Sequence, residues 1–170
     1  MILRTTFLET PLGPMMAVGD ETFLYVLAFA GQRGLGAIMQ KLTLQTKAVF
    51  KQGMTKPMQF IKTELSAYFD GFLREFQTPL CLLGTPFQKK AWQQLLQVSY
   101  GQTNSYQQQA QYIGHPHAHR AVANANGSNP VVIAMPCHRI VRHSGALGGY
   151  GGGILLKQWL LDHEQSHLPC

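Results

Sequence analysis

Two helix starts of the same design, Thr85-Pro86-Phe87-Gln88 and Ser105-Tyr106-Gln107-Gln108, constrain this chain more than any other feature. In each, a hydroxyl residue caps the helix and a glutamine three residues on closes a capping box, so backbone N–H groups that the helix leaves unpaired are satisfied reciprocally. Pro86 occupies the first helical position, where its missing N–H removes nothing the helix would have used. Phe87, Ala91, Trp92, Leu95 and Val98 supply the buried stripe of the first helix, which Gly101 ends. Tyr106, Ala110 and Ile113 fall on one face of the second, before Gly114. A third follows His115-Pro116, with Ala118, Ala121, Val122 and Ala125 at i, i+3, i+4 and i+7, stopped by Asn126-Gly127. Short helices joined by a few residues around a glycine form a helix-turn-helix signature. Arg120 sits about 150° from the apolar stripe at about 100° per residue, so it points outward.

Beyond the third helix, the apolar run Val131-Val132-Ile133-Ala134-Met135 meets Pro136-Cys137-His138-Arg139, and Ile140-Val141 follows. A lone cysteine is most often a small buried hydrophobe. Here an imidazole and a guanidinium follow it directly, and both favour the thiolate by charge and hydrogen bonding. Pro136 cannot sit comfortably inside a sheet, so the run is expected to end there and expose the thiol in a turn or at a strand end. Adjacent residues of an extended chain point to opposite faces, so a bridging water or a sharp turn would have to connect Cys137 and His138. Arg142-His143-Ser144-Gly145 fits a hairpin turn, and Gly148-Gly149-Tyr150-Gly151-Gly152-Gly153 is a glycine-rich loop open to close backbone approach. No Gly-Lys-Ser/Thr follows, so it is not a phosphate loop. Leu155, Leu156, Trp159 and Leu160 mark a last helix that runs into His163 and Glu164. Glu164 is a candidate to orient His138.

The first half offers no comparable chemistry. Residues 2–10 and 14–29 read as an antiparallel meander broken at Thr10-Pro11-Leu12-Gly13-Pro14 and Gly19-Asp20-Glu21. Met58, Ile61, Leu65, Tyr68 and Phe69 recur at helical spacing, with Gly71 placed to end the helix. Asp20, Glu21, Glu64 and Asp70 share no spacing that defines a site and read as solvated carboxylates. Pro79 to Gly84 marks a boundary, giving an α/β domain over residues 1–83 and a mostly helical domain over 84–170. At 170 residues and 45% hydrophobic, the chain has enough material for real cores. Its net charge of +6 permits a polyanionic partner, and +4 of that falls after Thr85, as do all seven histidines. Cys81, Cys137 and Cys170 form no CxxC pair, so neither a metal site nor a disulfide framework is suggested. An odd count fits a reducing compartment, and no run approaches a membrane span; a cytoplasmic location is expected.

Taken together, Gly84-Thr85-Pro86-Phe87-Gln88, Arg120-Ala121-Val122, Asn126-Gly127-Ser128-Asn129-Pro130, Pro136-Cys137-His138-Arg139, Gly149-Tyr150 and Lys157-Gln158-Trp159-Leu160-Leu161 resemble the O6-alkylguanine-DNA alkyltransferases. The likeness covers Gly84 to Glu164 and extends weakly to the opening turn at Thr10 to Pro14. It implies a ribonuclease-H-like α/β domain followed by a winged helix-turn-helix domain that enters the DNA minor groove. The target nucleotide would be flipped out, because a thiolate cannot reach a base that stays stacked.

By this resemblance Cys137 accepts the alkyl group, His138 acts as its base through a water, Glu164 polarises His138, and Tyr106 hydrogen-bonds the guanine edge. Arg120 would fill the space the flipped base leaves, with Ala121 and Ser128 also on DNA; on charge alone, some of Lys89, Lys90, Arg139 and Arg142 are further phosphate candidates. Asn129, Pro136 and Arg139 would support the cysteine segment, while Tyr150, Gly151 and Gly152 wall the pocket. Displacement at a methyl carbon needs a soft anion and a stabilised leaving group, so no metal or diffusible cofactor is required. The implied partner is double-stranded DNA carrying O6-alkylguanine, met by a monomer, with O4-methylthymine as a second candidate substrate and cooperative binding left open. Two positions depart from the family pattern: Gly151, where serine or alanine often follows the tyrosine, and Ala123, where glycine is frequent. A damage-binding or regulatory protein on the same scaffold is the rival reading, and retention of Cys137 distinguishes the two. A cysteine hydrolase using Cys137 and His138 would leave the helix-turn-helix unexplained.

Overall fold

The computed structural model describes residues 1–169, so Cys170 lies outside the described residues. The chain divides into two compact units, Met1–Leu83 and the part from Gly84 onward.

The first unit is built on the meander that the turn residues predict. Strands β1 (Ile2–Leu8), β2 (Met15–Gly19) and β3 (Leu24–Phe29) pair antiparallel in sequence order. Thr10 and Gly13 close the first turn, with the Gly13 N–H on the Thr10 carbonyl at 3.0 Å and φ 102° at the glycine. Asp20 closes the second, its carboxylate accepting from the N–H groups of Thr22 and Phe23 at 2.8 Å each. Two elements carry no clear sequence signal. Helix α1 (Leu35–Thr46) starts at Gly34 without a side-chain cap and buries only Leu42, and β4 (Val49–Gln52) has no buried position. β4 pairs parallel to β1, so the sheet order is β3-β2-β1-β4 and the meander becomes a mixed α/β sheet. Every residue of β3 is buried, which explains its unbroken apolar run.

Helix α2 (Lys56–Phe69) buries Met58, Ile61, Leu65 and Tyr68 as their spacing predicts, and stops where the Gly71 N–H returns to the Tyr68 carbonyl at φ 85°. Glu64 is half-buried and has a structural use. It accepts from the Gln77 N–H at 2.7 Å and the Thr78 hydroxyl at 2.7 Å, pinning the segment that then bridges β3 through Leu24 and Leu80.

The second unit comprises α3 (Pro86–Leu95), β5 (Asn104–Ser105), α4 (Tyr106–Tyr112), α5 (His119–Gly127), a 3₁₀ turn at Cys137–Arg139, β6 (Ile140–Val141) and α6 (Ile154–Ser166). Both capping boxes are present with both reciprocal bonds. Ala91, Ala110, Ile113, Val122 and Ala125 form the shared core of α3, α4 and α5, flanked by Phe87 and Tyr106. Ala121 is exposed, contrary to its expected place on the buried stripe; the inward face of α5 is Val122, Ala125 and Asn126. Asn126 is buried because it pairs amide to amide with Gln109 on α4, at 2.9 and 2.8 Å, and Gln109 also donates to the Ala91 carbonyl of α3 at 3.1 Å. That bracket fixes the three helices mutually, and the Trp92 indole adds a 2.8 Å bond to the Ala125 carbonyl.

Helix α6 also reverses the expectation. Leu155 is 83% exposed and Trp159 38%, whereas Lys157, His163 and Glu164 join Leu160 on the buried face. Apolar periodicity misleads here because this helix delivers charged groups into the interior. No helix among the described residues is long and apolar enough to cross a membrane.

Candidate functional site

The apolar run at 131–135 is a tight buried loop, not a strand, and Asn129 shapes it. The Asn129 side chain accepts from the Val131 N–H at 2.9 Å and donates to the Met135 carbonyl at 2.7 Å, while the Met135 N–H returns to the Val131 carbonyl at 3.0 Å. Ile133, at the loop's tip, is held at φ 71°, a conformation that is uncommon for a β-branched residue and stores backbone strain. Pro136 then leads into the 3₁₀ turn, so Cys137, His138 and Arg139 are not in extended chain and all three are buried.

The thiol is therefore less open than the proline suggested: Cys137 is only 8% exposed. Burial pushes its pKa up, against the opposing pull of an Asn129 hydrogen bond and the positive charge of Lys157. Burial thus disfavours the thiolate in the resting site, and forming it calls for a base.

His138, the base that the sequence suggests, is held in a fixed frame. His138 is fully buried, and its Nε2 lies 3.1 Å from the Glu164 carboxylate. Burial lowers the His138 pKa, which favours the neutral ring able to accept a proton. Its Nδ1 has no protein hydrogen-bond partner among the described residues. Burial would raise the Glu164 pKa, but His138 and Arg139 outweigh it and bring it to about 2. With His138 held toward neutrality, Arg139 is the lasting counter-charge. Its Nε donates to Glu164 at 2.9 Å and its Nη2 at 2.5 Å, while Nη1 donates to the Val98 carbonyl at 2.7 Å and the guanidinium lies 5.6 Å from the Tyr100 ring centre. Arg139 is consequently removed from the list of phosphate candidates: it is buried and fully engaged.

Lys157 is the residue whose role sequence reasoning missed. It is fully buried, donating from Nζ to the Ile140 carbonyl at 2.6 Å and the Gly149 carbonyl at 3.2 Å, with Nζ 5.8 Å from the Tyr106 ring centre. Burial lowers its pKa to about 8, while the Cys137 charge pulls the other way. The signal available was position: Lys157 and Glu164 are two helical turns apart, on one face of α6.

Tyr106 begins α4 half-buried, its pKa raised by burial and by Cys137, with Arg142 opposing. A Cβ on Gly148 would lie 2.8 Å from the Tyr106 hydroxyl, so only glycine leaves that space open. The two residues border a cleft of about 570 Å³, shared with Gln107, His119, Arg120 and Arg142. Arg120 is exposed there, as its helical angle predicts. The Ser128 hydroxyl faces inward, donating to the Ala125 carbonyl and accepting from Gln88. Tyr150, Gly151 and Gly152 are half-buried in a turn closed by the Gly153 N–H on the Tyr150 carbonyl at 3.0 Å. Among the described residues, no group of three His, Cys, Asp or Glu side chains could hold a metal ion.

Residues 86–166 match the family described as the DNA binding domain of 6-O-methylguanine DNA methyltransferase. A protein of Mycobacterium bovis named methylated-DNA–protein-cysteine methyltransferase is 52% identical over 107 residues, spanning 63% of this chain and 65% of its own length. A protein of the same name from Methanosarcina barkeri is 36% identical over 161 residues, covering 95% of this chain and 96% of itself. The crystal structure of Mycobacterium tuberculosis OGT in complex with DNA superposes with a TM-score of 0.82 at 39% identity, covering 100% of this chain and 96% of that one.

Proposed function

Because the chain belongs to the methylated-DNA–protein-cysteine methyltransferase family, we propose that it repairs DNA by moving the alkyl group of O6-methylguanine onto Cys137, once per protein molecule. The observation that carries this reading is the buried turn Cys137-His138-Arg139 closed on Glu164 of α6, which together supply a thiol, a base and a fixed carboxylate.

The thiol proton passes to His138 through a water, and Glu164 stabilises the imidazolium that forms. The thiolate sulfur then bonds to the methyl carbon as the carbon–O6 bond breaks. The purine leaves with the bonding electrons and takes up one proton, so the net change is a thioether in place of a thiol and guanine in place of its methyl ether. Tyr106 donates toward the purine edge and offsets the charge that develops there. Among the described residues, no group of the site is placed to cleave a thioether, and single use follows.

Delivery of the base calls for DNA. In this reading α4 and α5 act as a helix-turn-helix, the β6 turn as its wing, and the first unit as a ribonuclease-H-like scaffold. Arg120 enters the stack where the damaged nucleotide swings out from the minor-groove side, and an alkylated guanine costs less to extrude because it pairs poorly. The protein works as a monomer in the reducing cytoplasm, and O4-methylthymine is the second substrate to examine.

Intact-protein mass after incubation with a short duplex carrying one O6-methylguanine, followed by peptide mapping, tests the proposal. One methyl on Cys137, saturating at one per protein, supports it. Folded, reduced protein that binds the duplex without gaining mass would leave a damage-binding protein as the better account.

A further inference from the structure

Two histidines face the cleft that the transfer reaction does not use. His119 opens α5 directly before Arg120, and His143 directly follows Arg142. The turn that carries His143 is fixed by the Gly145 N–H on the Arg142 carbonyl and the Arg142 N–H on the Ala146 carbonyl, both 2.8 Å. Both imidazoles are exposed and both line the cleft with Arg120 and Arg142. The titratable and charged groups that share its walls are Tyr106 from α4 and those two arginines; no carboxylate is among them. Protonating either histidine thus adds positive charge to a cleft that is already basic and has no anion of its own. An arriving phosphodiester would supply that anion.

We propose that His119 and His143 are two further ligands for the DNA backbone, binding phosphate in their protonated form, so that the cleft grips DNA more tightly as pH falls below neutral. This rests on the DNA-repair reading above and extends it to proton-linked binding. The sign follows from mass action. The complex holds more protons than free protein and free duplex, so affinity rises as pH falls. His115 and His117 precede α5 and lie outside the residues lining the cleft, which makes them internal controls.

The test is fluorescence anisotropy with an undamaged duplex, so that no methyl transfer intrudes, at about pH 6 and about pH 8 over a salt series. For wild-type protein, affinity should be roughly tenfold higher at the lower pH, and the slope of log affinity against log salt should steepen by about one to two, since each added phosphate contact contributes roughly 0.9. His119→Gln with His143→Gln should erase both the pH ratio and the extra slope, and each single change should remove part of them. His115→Gln with His117→Gln should keep them. A double variant at 119 and 143 that retains the full pH ratio overturns the inference, as does wild-type binding that is equal at both pH values. Absence of duplex binding by wild-type protein at either pH would overturn the DNA reading itself.

Discussion

Arg139 and Glu164 meet through two guanidinium nitrogens at 2.9 and 2.5 Å, with both side chains almost wholly removed from solvent. The pair joins the turn after Cys137 to α6, and the same carboxylate holds His138. Fold and chemistry therefore share one ion pair. Removing one partner of a buried pair leaves an uncompensated charge and costs about 3–5 kcal/mol. Arg139→Met should lower stability by that order in urea unfolding. Arg139→Lys should recover part of the stability while still slowing methyl transfer, because an ammonium cannot reproduce the planar two-nitrogen grip. Equal transfer rates in Arg139→Lys and wild type would separate the ion pair from the chemistry.

Acid should expose the same link. The Glu164 pKa is depressed from 4.5 to about 2 on folding, so the unfolded chain binds the proton more readily than the folded one. The stabilisation is present above about pH 4.5 and is lost as pH falls toward 2, amounting to about 3 kcal/mol by the relation between pKa shift and free energy. Glu164→Gln should be less stable at neutral pH and should show a shallower decline over that interval. An unchanged acid profile in the variant would assign the decline to other carboxylates.

The extent to which this arrangement was legible in sequence depends on where the information lies. Thr85 with Gln88 and Ser105 with Gln108 announce their helices because capping is local chemistry over four residues, and both boxes form as read. Cys137, His138 and Glu164 could be named as a group, but only folding brings Glu164 across a separation of 26 residues to His138. Asn126 and Lys157 defeat pattern reading outright: hydrophobic periodicity assigns polar positions to solvent, and these are buried against partners from distant segments. Helix α1 and strand β4 escape for the opposite reason, since one buried residue and none give periodicity nothing to register.

The Gln109–Asn126 bracket gives a prediction about helix placement. Gln109→Leu leaves the Asn126 amide buried without its partner and should cost about 1–3 kcal/mol. Replacing both by leucine removes the unpaired groups together, so a double-mutant cycle should show coupling of about 1 kcal/mol or more. Additive losses would mean the two amides act independently.

Gly148 tests how tightly the cleft is fitted around Tyr106. Alanine there would place Cβ 2.8 Å from the tyrosine hydroxyl and 3.0 Å from its ring, at a backbone φ of 73° that favours glycine. Gly148→Ala should cut transfer from O6-methylguanine duplex by at least about tenfold while overall stability falls by about 1 kcal/mol. A full rate would show that the loop moves aside at no cost.

Lys157 offers the most direct reading of how the thiol is tuned. Its Nζ ties the Ile140 and Gly149 carbonyls together and places a buried cation that favours the Cys137 thiolate. Lys157→Met keeps much of the side chain's volume and removes both the charge and its hydrogen bonds. Without that charge, burial acts on Cys137 with less opposition and the thiol pKa should move further up. The rate of alkylation by iodoacetamide, followed against pH on the folded variant, should therefore rise at higher pH than in wild type. Lys157→Arg restores charge but not the compact fit between two carbonyls, so it should correct the pH midpoint more than the transfer rate. If Lys157→Met left the midpoint in place, the lysine would be a tether for the loop and not part of the electrostatics of the thiol.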